Sequence, residues 1–149
     1  MKNTPVFFPI LLILCAFCSK DQQKNQTFTT LTSGIWYQKS YQTDQNEDGI
    51  FEESSYPCQI NDSWHFESNN TLEIRDELAY CDPDLDTLVV LSGTWELREN
   101  NTKIYVEFGQ VGPVFEFHIH SINDSLLEIR SYTDLLTQTP FEERITLTR

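Results

Sequence analysis

The stretch Leu88–Tyr132 reads LVVLSGTWELRENNTKIYVEFGQVGPVFEFHIHSINDSLLEIRSY, and its alternation decides the fold class. Apolar and polar positions exchange through Trp95-Glu96-Leu97, through Ile104-Tyr105-Val106 and through Phe115-Glu116-Phe117-His118-Ile119. That is the period of a strand with one buried face. The runs Leu88 to Leu97, Lys103 to Phe108, Val114 to Ile122 and Leu126 to Tyr132 are expected strands. Between them stand Glu99-Asn100-Asn101, Gly109 to Pro113 and Asn123-Asp124, residues that turn the chain by local side-chain hydrogen bonds or left-handed backbone.

The same reading extends outward. Gly34 to Tyr41 is a first strand, followed by an acidic loop over 44–55. Asp62 to Glu67 and Thr71 to Arg75 make a hairpin around Ser68-Asn69-Asn70. Cys81-Asp82-Pro83-Asp84 is a loop, and Ile145-Thr146-Leu147 closes the chain. The only helical signal is a turn around Tyr132 to Leu136. The composition agrees, with 13% aromatic residues and a single Met. Phe, Tyr, Trp, Ile and Thr favour strands. The expected fold is therefore all-β, an antiparallel meander of about eight strands, a number that closes into a barrel holding side chains or one small ligand.

Thr32-Ser33-Gly34-Ile35-Trp36 resembles the Gly-x-Trp opening of lipocalins, where the Trp plugs the barrel floor. Leu91-Ser92-Gly93-Thr94-Trp95-Glu96-Leu97 repeats the phrase mid-chain. With Cys58, the strand from Asp62 to Phe66 and Cys81, residues 31–149 resemble the lipocalin-like β-barrel domain of bacterial lipoproteins. The resemblance implies a closed barrel and a small hydrophobic ligand.

The N-terminus carries a different signal. Met1-Lys2 precedes the apolar run Val6 to Leu14, too short for a bilayer span, which takes about 20 apolar residues, and suited to a signal-peptide core. The composition changes at Cys18-Ser19-Lys20-Asp21-Gln22-Gln23-Lys24-Asn25-Gln26, a polar tract unable to bury a face. Leu14-Cys15-Ala16-Phe17-Cys18 resembles the lipobox of Gram-negative lipoproteins, with Phe17 in place of the small residue usual before the Cys. Ser19-Lys20-Asp21 is similar to the acidic export signal of lipoproteins displayed on the cell surface. The resemblance implies a signal peptide over 1–17, lipidation (palmitate-type acylation) at Cys18, a flexible tether over 18–30 and a domain over 31–149. It places the chain at the outer membrane, anchored by lipid on the cell surface.

Of the four cysteines, Cys15 leaves with the leader and Cys18 is modified. Cys58 and Cys81 remain, and an oxidising compartment favours a disulfide between them. Closing a loop of that length contributes about 3 kcal/mol. A metal or redox pair is the rival reading, and it lacks a CxxC. Removing Lys2 with the leader leaves nine basic against 23 acidic residues, a balance of −14. Such a surface repels phosphate backbones, so nucleic acid is not an expected partner.

Asp44-Gln45-Asn46-Glu47-Asp48-Gly49-Ile50-Phe51-Glu52 places oxygen donors at alternating positions around a Gly, as calcium loops do. Asp44, Asn46, Asp48, the Ile50 carbonyl and Glu52 are the candidate ligands, and calcium is the candidate cofactor. The closing bidentate Glu would fall at Ser55, so a solvated acidic connection is the competing and preferred reading. Glu116, His118 and His120 share one strand face and make a weak surface metal site at best, with ordinary surface histidines the alternative. Trp36, Trp64, Phe66, Trp95, Phe115 and Phe117 line a ligand cavity or fill a dry core. Neither a Gly-x-Ser-x-Gly nor an HExxH is present, and no enzymatic activity is expected. The leading expectation is a binding module for a small apolar ligand or a partner protein. The second is a structural module with a filled barrel and a calcium-binding acidic loop.

Overall fold

A computed structural model describes residues 26–76, 90–109, 112, 114–133 and 141–149. The leader 1–17, Cys18, tether residues 18–25, Cys81 and positions 134–136 of the expected turn lie outside the described residues.

The strands in chain order are β1 Trp36–Asp44, β2 Glu52–Glu53, β3 Ser63–Phe66, β4 Thr71–Arg75, β5 Val90–Arg98, β6 Lys103–Glu107, β7 Val114–Ile122, β8 Leu126–Thr133 and β9 Phe141–Thr148. From β3 to β9 each strand pairs antiparallel with the next. β1 pairs with both β3 and β9, so eight strands form a closed ring, and the two-residue β2 pairs with the end of β1 beyond its short contact with β3. This is a lipocalin-like up-and-down barrel, closed by the pairing of its first long strand with its last.

Two elements differ from the sequence reading. The acidic stretch is a hairpin rather than a plain loop, because Gln42 pairs with Glu53 and Thr43 with Glu52. Two residues are too few for an alternation to register. β9 spans eight residues where only Ile145 to Leu147 alternated visibly. The run Glu142-Glu143-Arg144 hides the pattern, and pairing on both sides with β1 and β8 imposes the strand.

Residues 26–32 form a helix, although 26–30 fell within the expected tether. Phe28 stacks on Trp95 with ring centroids 5.5 Å apart, and Leu31 is fully buried. The pair sits three positions apart, on one helical face.

Inward positions follow the pleat: Trp64 and Phe66, Leu72 and Ile74, Ile104 and Val106, Leu127 and Ile129, Ile145 and Leu147. β1 breaks the rule. Its register against β9 slips between Gln38 and Ser40, which leaves Lys39 as the extra residue of a bulge. Trp36 and Gln38 are buried before the slip, Thr43 after it, and the parity of the inward face is reversed.

At the helix end the barrel is filled. Trp36 is wholly buried and its indole N–H donates to the Leu31 carbonyl at 3.0 Å. The Arg149 guanidinium covers the Trp36 ring at 3.8 Å and donates to the Thr30 carbonyl, tying the last residue to the helix. A cation over an indole face adds roughly 0.5–2 kcal/mol. Phe66 meets Trp95 edge-on at 5.3 Å, and the Trp95 N–H donates to the Glu67 carbonyl at 3.1 Å.

Turn chemistry follows the sequence. The Asn69 side chain accepts from the Thr71 N–H, and Asn123 accepts from Ser125 and Leu126. Gly93 has a packing reason instead, since a methyl there would lie 2.5 Å from the Glu107 carbonyl oxygen. Gly93→Ala is expected to cost about 1–3 kcal/mol through this overpacking. A denaturant midpoint equal to that of the parent protein would remove the close approach as the reason for this glycine.

Candidate functional site

Above the filled floor the barrel opens into a cavity of about 360 Å³. Its described lining is Tyr41, Trp64, Ile74, Leu91, Phe108, Phe115, Phe117, Glu143 and Ile145. The six aromatic residues expected to line a cavity therefore divide. Trp64, Phe115 and Phe117 border it, whereas Trp36, Phe66 and Trp95 pack into the floor. The division has a physical cause. The floor rings contact each other, the helix and Arg149. Phe115 stands near the strand ends and keeps 37% of its surface exposed.

The aromatic wall is continuous. Phe108 meets Phe115 edge-on at 5.9 Å, Phe115 stacks with Phe117 at 5.9 Å, and Trp64 meets Phe117 edge-on at 6.1 Å. Such arrangements are favoured by ring quadrupoles. The Trp64 side chain is the odd member of the three tryptophans. It is 6% exposed, yet its indole N–H has no acceptor among the described residues.

The cavity lining also holds a polar seam that the sequence reading missed. The Tyr41 hydroxyl donates to Glu143 Oε1 at 2.6 Å, and the Ser131 hydroxyl donates to Glu143 Oε2. Tyr41 stands inside because of the Lys39 bulge, which the alternation from Trp36 does not reveal. Glu143 could have been found, since it shares the parity of Ile145 and Leu147.

Of the expected calcium ligands, Asp44, Asn46 and Asp48 are joined within one loop by local hydrogen bonds. Asp44 is buried and its carboxylate accepts from the Asp48 N–H at 3.2 Å and the Gly49 N–H at 2.8 Å. Asp48 accepts from the Ile50 N–H at 2.8 Å and from the Asn46 amide at 3.0 Å. Glu52 is exposed on β2. These oxygens close the hairpin, and Phe51 packs under the Arg144 guanidinium at 4.1 Å on the outside of the barrel.

The face with Glu116, His118 and His120 is exposed or partly so. Glu116 is held by Lys103 at 2.7 Å, His118 meets the Tyr132 ring edge-on, and His120 lies 3.9 Å from Glu128. A register slip between Ile119 and Ser121 separates the two histidines' surroundings. Among the described residues no group of three His, Cys, Asp or Glu side chains is placed to hold a metal. Cys58 is partly buried, and Cys81, its expected partner, lies outside the described residues.

No protein-family model matches the chain, and no curated protein matches it. Among solved structures, it is similar to a bovine odorant-binding protein in complex with a selenium-containing odorant, at 8% identity and a TM-score of 0.47, over 82% of this chain and 71% of that one. It is similar also to apocrustacyanin C2, at 13% identity and a TM-score of 0.49, over 85% of this chain and 68% of that one. The fold assignment rests on the strand pairing itself.

Tyr41 carries a pH signature. Burial pushes its phenol well above the ordinary value, reinforced by the hydrogen bond to Glu143 and the charge there. The folded chain thus holds this proton more tightly than the unfolded chain does. The stability contributed is complete below the unfolded phenol value of about 10 and is lost as pH climbs beyond it. Tyr41→Phe is expected to flatten the fall in unfolding free energy between about pH 9 and about pH 11. Parallel alkaline profiles for both proteins would contradict this.

Proposed function

We propose that this protein is a lipid-anchored envelope lipoprotein whose lipocalin-like barrel binds a small apolar ligand. The observation that carries the binding reading is the half-filled interior. A cavity of about 360 Å³ walled by Trp64, Phe108, Phe115 and Phe117 stands above a packed floor. Ligand sites of roughly 300–1,000 Å³ are mostly apolar with a few polar groups, and this lining has that character. A structural module working only through its rim would gain nothing from keeping aromatic side chains around open space. Burying that surface against a ligand is favourable at roughly 25 cal/mol per Å².

The neutral fluorophore N-phenyl-naphthylamine is expected to bind purified protein with micromolar affinity and enhanced emission. Ile74→Trp places a larger ring in the cavity and is expected to weaken that binding about tenfold while the barrel persists. Undiminished binding to a folded Ile74→Trp variant would place the dye elsewhere and defeat the cavity reading.

The anchor rests on sequence. The leader core before Cys18 and the abrupt polar tract after it support acylation of Cys18 and residence at the outer membrane, facing the cell surface. Several acyl chains on one residue hold firmly, each buried CH₂ adding about 0.8 kcal/mol. The same compartment supports a Cys58–Cys81 bridge. Mass spectrometry of protein from its own host is expected to find a mature chain that begins at acylated Cys18 and yields a Cys58–Cys81 linked peptide. A chain beginning elsewhere, or free of acyl mass, would overturn the anchor.

A further inference from the structure

We propose that the cavity selects organic cations, small amines with an apolar body and an oxygen next to the ammonium group, over neutral or anionic ligands of the same size. The inference deepens the binding reading and depends on it.

Charge makes the first case. Among the described lining residues Glu143 alone is charged, and five of the others are aromatic: Tyr41, Trp64, Phe108, Phe115 and Phe117. Glu143 forms no ion pair among the described residues; its oxygens accept only from the Tyr41 and Ser131 hydroxyls. The basic groups nearby are engaged on the outer face, Arg130 with Glu128 and Glu142, and Arg144 with Gln42 and the Phe51 ring. A carboxylate among aromatic faces, without a cation of its own, is the environment that receives an ammonium, since ring faces and carboxylate attract the same charge. A fatty-acid carboxylate would instead bring like charge against Glu143.

Sequence strengthens this. The whole chain carries −13, so cations are enriched around it before they bind.

The second, independent case is Trp64. The indole N–H of Trp36 has the Leu31 carbonyl and that of Trp95 the Glu67 carbonyl. The third, on a ring that borders the cavity, is buried and has no acceptor among the described residues. A buried donor left unpaired is costly, and a ligand oxygen would relieve it. One ligand carrying an ammonium group and an adjacent hydroxyl or ester oxygen answers both Glu143 and Trp64.

The test is a charge series of equal chain length at neutral pH: octylammonium, octanol and octanoate, each displacing N-phenyl-naphthylamine. Octylammonium is expected to bind about tenfold or more tightly than octanoate, with octanol between them. Glu143→Gln, which keeps an acceptor for one of the two hydroxyls and offers an amide N–H to the other, should remove the ammonium preference and leave octanol unchanged. 1-Amino-2-octanol should bind more tightly than octylamine to the parent protein, and Trp64→Phe should cancel that advantage. Octanoate binding as well as octylammonium would overturn the proposal, and this comparison needs no variant. An ammonium preference that survives in folded Glu143→Gln would overturn it too, as would a hydroxyl advantage that survives in folded Trp64→Phe. Displacement by all three probes without charge preference sinks this inference and leaves the apolar cavity standing. Failure of every neutral and charged probe to bind sinks both.

Discussion

The structure depends on the pairing of its first long strand with its last. β1 meets β9 from Tyr37 opposite Thr148 to Asp44 opposite Glu142, and this ladder turns a meander into a barrel. Without it the sheet would keep two open edges and its apolar face would lie against water. The ladder is not regular. The extra residue at Lys39 bends β1 and exchanges which side chains face inward. Trp36 reaches the floor on one parity, and Tyr41 reaches the cavity on the other. The seam that closes the barrel therefore also assembles its polar feature, since Tyr41 comes from one side and Glu143 from the other.

Floor and cavity follow different packing logic. At the floor each large ring has a full set of neighbours: Phe28 on Trp95, Phe66 against Trp95, Arg149 over Trp36. Indole donors there find backbone carbonyls within about 3 Å, as buried polar groups require. At the other end the rings contact one another on one side only and leave volume between them. The helix at 26–32 supplies the difference, because Phe28 and Leu31 cover one end of the barrel. A rigid filled half holds the strands that shape the open half, which suits a preformed ligand site.

The acidic exterior is organised rather than merely dispersed. Arg130 bridges Glu128 and Glu142 across neighbouring strands, and Lys103 bridges Glu99 and Glu116. Exposed pairs of this kind each add at most about 1 kcal/mol. Their consequence for the cavity is that these cations are occupied outside, while Glu143 faces the interior without a cation among the described residues.

The sequence by itself determined the all-β class, most strand positions and the turns, because a period of two and Asn- or Gly-rich turns are local properties of the chain. It also determined that Phe66, Trp95 and Phe117 face inward, since each sits on the apolar parity of its own strand. Only the tertiary structure decided how that interior is shared. Whether an inward ring meets another ring or open space depends on neighbours far away in the chain. The two-residue β2, the helix at 26–32 and the charged start of β9 were hidden for the same reason, as their partners rather than their own patterns specify them. Tyr41 is the clearest case. A bulge is fixed by the register of two strands about a hundred residues apart, so no reading of β1 alone puts that hydroxyl beside Glu143.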